Sequence, residues 1–443
     1  IVMNRSSPES DKRKRGLREF LRSYWCRTAY AVRSLFFSSQ GCYDATEPTS
    51  RENSSNQPLS TSKPDYDIGD ALSVSGSFIR RWEQISAHPG EKADSSTFRV
   101  ASYNVLCQNE FEANPALYPH LENSSPFREW SHRWNLLVNE ISALDADILG
   151  LQEVPKKHFV EFFKPLLESL GYSLLFLEKT GESHNHGLII ALRKESFEID
   201  SNESIEFFQG DDPVLDRGNV GQIARVVCRR SKSSLLLAHI HLLFDPSRGD
   251  TKLAQIAYLL SRIHKYRKDD EPIICLGDFN FEPASKLYDY ITTGILNAST
   301  FSIKHGSGQT PVDSTLAPPS DFIYELPRET FVHTMMDRKG EIQNDLFDLL
   351  HSLNTTLPNQ LTHRLKLASV HAESLTVSTH HVQMSSPDFI FFDSGNNDGS
   401  NLRLLRRLAL PTNEDLREVE RWPNEHLPSD HICLLAEFGL TRV

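Results

Sequence analysis

Cysteine is scarce in this sequence, and its spacing gives no sign of a metal or redox site. The chain has six cysteines in 443 residues, and none of them forms a C-x-x-C pair. Cys275 and Cys433 lie inside apolar runs, which is typical of buried thiols. The pattern favours a reducing compartment and predicts no zinc site. We therefore expect a cytoplasmic protein, with a nuclear or mitochondrial pool left open.

Long apolar runs and excess positive charge are also missing. No run approaches the length that a membrane-spanning helix needs. Lys and Arg number 47 against 59 Asp and Glu, for a formal net charge of -12. This balance argues against broad, non-specific binding to nucleic acid. It does not exclude a nucleic-acid enzyme, because a divalent metal and a local basic pocket can offset an acidic surface.

The length suggests two or three domains, or one large α/β domain with a tail. Residues 1–95 read as a basic, largely disordered extension, because a Lys/Arg run at 12–15 is followed by a polar segment at 38–63. Residues 96–443 are predicted to form the folded domain. A stretch at about 300–385 is irregular and is predicted to contain an insertion.

The extension contains one candidate partner-binding helix. Apolar residues and arginines alternate between residues 16 and 37 with a spacing that suits a basic amphipathic helix. Within it, Tyr30, Leu35 and Phe36 fit the pattern Tyr-x4-Leu-Φ, which resembles the helix by which several proteins bind the cap-binding translation initiation factor. The alternatives are a basic helix with no partner, a disordered tail or a mitochondrial presequence.

The remainder of the chain predicts strands mixed with helices. Apolar strands are expected at Phe98–Cys107 and Ala146–Val154, and helices at Trp130–Leu144 and Thr251–Tyr266. A short helix is also expected at Ser77–Ile85. The helices are spaced among hairpin-like strand pairs, which favours an α/β fold made of a two-sheet mixed β-sandwich flanked by helices over a purely parallel sheet.

The segment Pro272–Pro283, PIICLGDFNFEP, is the most informative stretch of the sequence. Its apolar half is typical of a strand buried on both faces. Asp278 and Asn280 follow, and in an extended chain both would point to the same side. A carboxylate and an amide at a strand end suit a site that binds a metal-bound water and a phosphate oxygen. An Asp/Asn turn after a core strand is the alternative.

Further polar residues follow or interrupt other predicted strands. Each is weak evidence alone, since a single Glu after a strand is usually solvated and a single His on an apolar strand is usually a core residue. Together they supply what metal-assisted phosphoryl hydrolysis requires: oxygen ligands, a carboxylate for water, and amide and imidazole donors for phosphate. The set is Asn104, Glu153, His239, His241, Asp278, Asn280, Asp388, Asp430 and His431.

The order of these motifs resembles a known superfamily. The motifs follow one another along the chain in the order SYNVL, LQEV, HIHLLFDP, LGDFN, PDFIFF and SDH. They are similar to the endonuclease/exonuclease/phosphatase superfamily, which includes abasic-site endonucleases, inositol phosphatases and the carbon catabolite repressor-type deadenylases. HLLFDPSRGDTKLAQIAYLL looks most like the deadenylase-related branch and, within it, the Angel proteins.

The resemblance implies roles at the metal and the water. Glu153 would be the principal ligand of Mg²⁺, for which Mn²⁺ could substitute. Asn104 would contact the metal or its water, and Asp430 would be a further metal contact. Asp278 would orient or deprotonate the attacking water.

The resemblance also implies roles at the phosphate. Asn280 and His241 would bind the scissile phosphate, and His431 would donate to a phosphate oxygen. Asp388 would pair with the His431 ring and fix its tautomer. One departure lies near the cleft, where His186-Gly187 replaces the Asp-Gly that the family often has.

The resemblance implies a phosphoesterase that acts on RNA 3′ ends. Two substrates remain open: poly(A) tails, degraded in the 3′–5′ direction, and 2′,3′-cyclic phosphates at RNA ends. Two other classes also remain. One is a translation-associated binding protein that docks through Tyr30, Leu35 and Phe36. The other is a phosphatase for small nucleotides or lipids.

Overall fold

The computed structural model describes most of the chain after residue 94. The described residues are 71–72, 80–86, 95–181, 186–210, 212, 214–268, 271–310, 360–372, 375–394 and 401–441. They belong to one compact unit, Asp67–Val443. The predicted partner-binding residues Tyr30, Leu35 and Phe36 lie outside this part, as does most of the predicted insertion. Both therefore stay predictions.

Strands dominate the described part of the chain. In order they are β1 (Ala71–Leu72), β2 (Arg80–Gln84), β3 (Ser95–Asn104), β4 (Ile148–Pro155), β5 (Tyr172–Glu178), β6 (His186–Arg193), β7 (Phe197–Glu206), β8 (Val220–Cys228), β9 (Ser234–His241), β10 (Ile273–Asp278), β11 (Ile295–Asn297), β12 (Gln360–Thr362), β13 (Leu367–Ser369), β14 (Thr379–His380), β15 (Met384–Ser385), β16 (Asp388–Asp393), β17 (Leu402–Leu408) and β18 (Leu434–Thr441).

Five longer helical segments accompany them in the same part of the chain, together with three short 3₁₀ helices at Pro115–Leu117, Pro126–Arg128 and Ala298–Thr300. The longer segments are α1 (Gln108–Ala113), α2 (Trp130–Leu144), α3 in three consecutive pieces (Lys156–His158, a π-helical Phe159–Phe163 and Lys164–Ser169), α4 (Gly249–Tyr266) and α5 (Lys286–Thr293). Within the described ranges, none of the helices has the length and apolar character that crossing a membrane requires.

The strands form two large sheets of mixed direction. One has eight strands in the order β1-β2-β17-β18-β3-β4-β6-β5, and the other has six in the order β13-β16-β10-β9-β8-β7. Only two neighbouring pairs in these sheets, as far as they are described, run parallel: β3 with β4, and β9 with β10. This confirms the predicted two-sheet mixed α/β sandwich.

Three apolar cores define the layers. One lies between the sheets and takes inward residues from both, such as Val100, Leu237 and Ile274. A second joins the outer face of the eight-stranded sheet to α2 and α3, and a third joins the outer face of the six-stranded sheet to α4 and α5. Burial of both faces explains why the β10 sequence is a continuous apolar run and does not alternate.

The predicted helix at Ser77–Ile85 was wrong, because its described residues form strand β2. This strand pairs with β17, and the Arg80 guanidinium donates to the carbonyl oxygens of Ala409 at 2.8 Å and Cys433 at 2.6 Å. A buried arginine with these acceptors fixes the segment at the sheet, which outweighs its local helical spacing. The sheet thus begins before residue 96, where the folded domain was predicted to start.

Gly277 allows strands β9 and β10 to pair closely just before the site. Its φ is 143°, in the region that favours glycine, and a Cβ there would lie 1.9 Å from the carbonyl oxygen of Ile240. That oxygen belongs to backbone in the middle of a sheet and has little room to move. The glycine is therefore a requirement of the strand pairing.

We predict that Gly277→Ala lowers the free energy of unfolding by about 2–5 kcal/mol, because it combines backbone strain with a clash. Urea denaturation of the full chain measures the change. The matched control is Gly171→Ala, where φ is 86° but no described atom lies within 4 Å of the added Cβ. It should cost only about 1–2 kcal/mol, the strain of a left-handed backbone. Equal losses for the two variants would contradict this account.

Candidate active site

The site lies at the ends of strands whose inward faces change from apolar to polar. On β10, Ile274 and Leu276 belong to the core between the sheets, and Asp278 continues the same alternation. In the six-stranded sheet, Asp278 is in register with His241 on β9 and with Asp388 on β16. Side chains of residues in register across neighbouring strands point to the same face, so this sheet delivers three polar groups to one place.

Glu153 reaches the same place from the eight-stranded sheet through an irregularity. The register of β4 against β6 shifts between Leu151 and Val154, and Glu153 has a φ of 63°. A bulge of this kind redirects a side chain that regular alternation would send elsewhere. The Glu153 carboxylate then accepts the backbone N–H of Cys107 at 2.8 Å through Oε2.

Asn104 connects the two sheets at this point. Its Nδ2 donates to Oε1 of Glu153 at 3.0 Å and to Oδ2 of Asp278 at 3.0 Å. Its Oδ1 accepts the N–H of Leu106 at 3.0 Å. The amide therefore holds two carboxylates from opposite sheets near each other, and its nitrogen, not its oxygen, faces them.

Asp388 and His431 form a hydrogen-bonded pair. Nδ1 of His431 lies 2.8 Å from Oδ2 of Asp388, which also accepts from the Ser378 hydroxyl at 2.6 Å. Nε2 of His431 is left to face the site, 3.8 Å from Oδ2 of Asp278. Burial lowers the pKa of His431, but the charges of Asp388, Asp430 and Asp278 outweigh burial and raise it well above its ordinary value. The imidazole is thus held as a cation.

His241 has the opposite electrostatic character. Its Nε2 lies 3.6 Å from Oδ2 of Asp278 and 3.9 Å from Oε1 of Glu153. Burial, followed by repulsion from Lys179 and His186, lowers its pKa well below the ordinary value. His241 is therefore a neutral imidazole, which can donate one hydrogen bond.

Asn280 departs from the extended conformation that the sequence suggested. Strand β10 ends at Asp278, and Oδ1 of Asp278 accepts the N–H of Asn280 at 3.0 Å, which is an Asx turn. Asn280 has a φ of 51°, and its Nδ2 donates to the carbonyl of Leu242 at 3.1 Å. The turn interpretation of this stretch is therefore correct, and the predicted role of Asn280 at the phosphate stays a prediction.

Asp278 is a deeply buried carboxylate that faces several other charges. Its side chain is 2% exposed. Burial raises its pKa, and so does Asp388, while His431 and the hydrogen bond from Asn104 oppose the shift. Asp278 therefore has a greater affinity for a proton than an ordinary aspartate, which suits a group that accepts a proton from water.

His239 lies two residues before His241 on the same face of β9, and its surroundings are those of a core residue. Its Nε2 is 2.7 Å from Nε2 of Gln152, and burial lowers its pKa to about 3. Gly150 makes space for it, because a Cβ there would lie 3.1 Å from its Nε2. His239 is thus a core histidine, as a single histidine on an apolar strand usually is.

The tightest group of ligand-type atoms differs from the predicted metal set. Atoms of Asp278, Asp388 and His431 lie within 4.8 Å of one another. In this group, however, Nδ1 of His431 is already hydrogen-bonded to Oδ2 of Asp388. The pair is better suited to orienting an imidazole than to sharing a metal ion.

The predicted ligands Glu153 and Asp430 retain oxygen atoms that fit a divalent cation. Oδ1 of Asp430 is buried and has no hydrogen-bond partner among the described residues. Glu153 is the more accessible carboxylate, with 17% of its side chain exposed against 2% for Asp278. Carboxylate oxygens are what Mg²⁺ and similar hard cations prefer. Asn104 turns its amide nitrogen toward Glu153, and its Oδ1 accepts the N–H of Leu106, so its predicted contact with the metal or its water stays a prediction.

The structure adds residues that sequence reasoning missed. The Tyr118 hydroxyl donates to Oδ2 of Asp430 at 3.0 Å, although no motif contains this tyrosine. Ser429 donates to the carbonyl of Asn104 at 2.7 Å, and its place in the SDH motif could have signalled it. Both fix the positions of predicted site residues.

The departure at His186 lies beside the site. The His186 ring centroid is 6.1 Å from that of His241, and Nε2 of His186 is 3.3 Å from Nζ of Lys179. Burial lowers the pKa of Lys179, although Glu153 and Glu110 oppose the shift. Basic groups therefore stand where the family often has an acid.

Comparison with known proteins agrees with this geometry. The model of the Endonuclease/Exonuclease/phosphatase family matches residues 101–431. Protein angel homolog 2 of Mus musculus is 32% identical over 433 residues, which covers 86% of this chain and 79% of that protein. Carbon catabolite repressor protein 4 homolog 3 of Arabidopsis thaliana is 30% identical over 388 residues, which covers 82% of this chain and 80% of that protein.

Solved structures show the same relationship. A crystal structure of ANGEL2, described as a 2′,3′-cyclic phosphatase and bound to adenosine-2′,3′-vanadate, matches with a TM-score of 0.68 and 33% identity over 82% of this chain and 99% of that chain. The human Nocturnin catalytic domain, with a TM-score of 0.50 and 20% identity, shares the fold. The chain therefore belongs to the Endonuclease/Exonuclease/phosphatase family, as a phosphoester hydrolase of the branch that holds the Angel and carbon catabolite repressor-type proteins.

Proposed function

We propose that this protein is a Mg²⁺-dependent phosphoesterase that hydrolyses 2′,3′-cyclic phosphates at RNA 3′ ends. The supporting observation is the match to ANGEL2, a 2′,3′-cyclic phosphatase, over 82% of this chain. The polar groups described above, which cluster at the strand ends of both sheets, agree with this function. A 3′–5′ exoribonuclease acting on poly(A) is the alternative, which the relationship to a carbon catabolite repressor-type protein favours.

Glu153 and Asp430 are the residues that would hold the divalent cation. Glu153 is anchored by the N–H of Cys107 and by Asn104, and Asp430 by the hydroxyl of Tyr118. A bound Mg²⁺ would offset negative charge on the phosphate oxygens and act as a Lewis acid. The anchoring bonds fix both carboxylates before any ligand arrives, which is the preorganisation that catalysis requires.

Asp278 is the proposed base. Its raised pKa suits acceptance of a proton from the attacking water, and Asn104 holds its Oδ2 in a fixed direction. As the new P–O bond forms, one bond from phosphorus to a ribose oxygen breaks. The water proton passes to Asp278, the departing ribose oxygen takes a proton that Nε2 of His431 can supply, and the ring opens to a ribose phosphomonoester. A second water then cleaves the remaining bond from phosphorus to the ribose in the same way, which releases inorganic phosphate.

His431, His241 and Asn280 are the proposed phosphate contacts. The His431 cation, maintained by Asp388, donates from Nε2 to a phosphate oxygen or to the departing ribose oxygen. The neutral His241 and the Asn280 amide supply hydrogen bonds without a net charge. Donors of these types, fixed by the fold, stabilise charge that develops on the phosphate.

A two-substrate assay tests the proposed function. We predict that the full chain with Mg²⁺ removes the cyclic phosphate from an end-labelled RNA and leaves a matched oligo(A) with a 3′-hydroxyl at its original length. Gel mobility and phosphate release measure the two outcomes. Progressive shortening of the oligo(A), with the cyclic end intact, would favour the exoribonuclease and remove the proposal.

Glu153→Gln tests the metal assignment. The amide keeps the shape and one acceptor for the N–H of Cys107, but it removes the charge that attracts the cation. We expect Mg²⁺ affinity, measured by calorimetry, to fall by at least about 10-fold and kcat by about 10²-fold or more. Glu161→Gln, an exposed change on α3, is the control and should match the parent. Parent-like Mg²⁺ binding in Glu153→Gln would refute the assignment.

Asp388→Asn tests the pairing with His431. The amide can still accept a hydrogen bond, but it cannot maintain the imidazolium charge or enforce the tautomer. We expect kcat to fall on the order of 10²- to 10⁴-fold, by analogy with a serine-protease aspartate, with Mg²⁺ affinity unchanged. Steady-state kinetics and calorimetry measure the two quantities. A proportionate loss of Mg²⁺ binding would instead assign Asp388 to the metal.

A further inference from the structure

Helix α4 presents a row of polar side chains to the protein interior. Thr251, Lys252 and Gln255 are each 0% exposed. Lysine is almost never fully buried unless its ammonium group is paired. Here the Lys252 ammonium donates to the carbonyl of Asn280 at 2.7 Å and to Oε1 of Gln309 at 2.6 Å. Packing against a sheet would favour an apolar residue at this position, so the lysine requires another explanation.

The bond to Asn280 acts on a residue with an unusual backbone. Asn280 has a φ of 51°, and a left-handed conformation persists in a residue other than glycine only when its surroundings enforce it. Its N–H donates to Asp278 and its side chain donates to the Leu242 carbonyl. Lys252 binds the one remaining backbone group, the carbonyl oxygen. The direction of the Asn280 side chain therefore depends partly on a residue of α4.

Gln255, one turn along the helix, serves the neighbouring loop. Its Oε1 accepts the N–H of Leu243 at 3.1 Å, and its Nε2 donates to Oδ1 of Asn219 at 3.3 Å. Asn219 in turn donates to the carbonyl of His241 at 3.0 Å. Lys252 and Gln255 thus reach the two segments that carry the proposed phosphate contacts, and both do so through backbone groups.

We propose that Lys252, supported by Gln255, is a positioning residue that sets the Asn280 backbone and so aims the Asn280 amide at the substrate phosphate. This inference rests on the proposed function only in assigning Asn280 to the phosphate. Lys252 lies beneath the turn and touches neither water nor phosphate in this role. Its effect passes through one carbonyl oxygen.

The competing explanation is that Lys252 only stabilises the fold by fastening the segment that contains Gln309. Removal of either partner of the Lys252–Gln309 bond would then have the same effect. The proposal predicts a difference, because only the loss of Lys252 frees the Asn280 carbonyl. Gln309→Leu is therefore the variant that separates the two explanations.

The experiment compares Lys252→Met with Gln309→Leu and Thr251→Val in the full chain. Methionine keeps the length of the side chain and removes the donor. Thr251→Val removes a buried hydrogen bond from the same helix face to the carbonyl of Val214, away from Asn280. We expect Lys252→Met to lose on the order of 10- to 100-fold in kcat, as misplacement of a contact does, and the other two to stay within about threefold of the parent.

Two further readouts separate positioning from instability. Mg²⁺ affinity of Lys252→Met should match the parent, because the Lys252 ammonium bonds to Asn280 and Gln309 and to neither of the proposed ligands. Affinity of the Mg²⁺-loaded protein for inorganic phosphate, measured by calorimetry, should fall about tenfold as one contact is misaligned. If the parent hydrolyses neither RNA substrate, the proposed function fails, and phosphate binding still decides the role of Lys252.

The outcomes that overturn the inference are specific. A kcat for Lys252→Met within threefold of the parent would do so, as would an equal loss in Gln309→Leu. If Lys252→Met does not fold, Lys252→Gln replaces it, since this variant keeps a buried polar group but its side chain is one bond shorter than the bond to the Asn280 carbonyl requires. This variant should also lower kcat and the affinity for phosphate. Values equal to those of the parent would refute the proposed positioning role of Lys252.

Discussion

The site depends on one amide that joins carboxylates from opposite sheets. Glu153 and Asp278 would repel each other as neighbouring anions, and the Asn104 amide donates to both. Loss of that bridge would leave two partly desolvated negative charges facing each other, which is costly in a low dielectric. The divalent cation proposed at Glu153 and Asp430 would offset the same repulsion. The hydrogen bonds and the proposed metal would therefore both reduce the repulsion between these two carboxylates.

Packing in the apolar cores offsets the free-energy cost of burying these charged groups. The inward row of β10 begins with Ile274 and Leu276 and becomes polar only at its last position, Asp278. The sheets are therefore fixed by packing well before the charged layer is reached. Backbone strain is concentrated at the strand ends beside the site, where Leu106, Glu153 and Asn280 have positive φ values of 58°, 63° and 51°. Strain of this kind persists because the surrounding structure over-determines it.

Sequence reasoning recovered the parts of the fold that follow from alternation and burial. The continuous apolar run of β10 and the helical spacing of α2 and α4 predicted those elements, and the mixture of strands and helices predicted the two-sheet sandwich. It failed where long-range pairing decides the structure. Strand β2 forms because β17 lies beside it, and nothing within Ser77–Ile85 signals that neighbour.

The site residues divide in the same way. Asp278, His241 and Asp388 lie on one row because strand register places them there, and motif order was enough to list them. The bulge that redirects Glu153 and the hydroxyl that Tyr118 contributes from 312 positions away depend on tertiary contacts. Lys252 was visible in its motif, but its target, a backbone carbonyl, has no signature in sequence.

His239 and His241 show that position along the strand, more than residue type, decides which groups an inward side chain contacts. Both lie on the inward face of β9, separated by one residue. His239 meets Gln152 and an apolar layer, so its hydrogen bonds are satisfied within the core. His241, one alternation nearer the strand end, meets Glu153 and Asp278 instead. His241 occupies the last inward position of β9 before the chain turns, where a substrate could take the place of the opposite sheet as its partner.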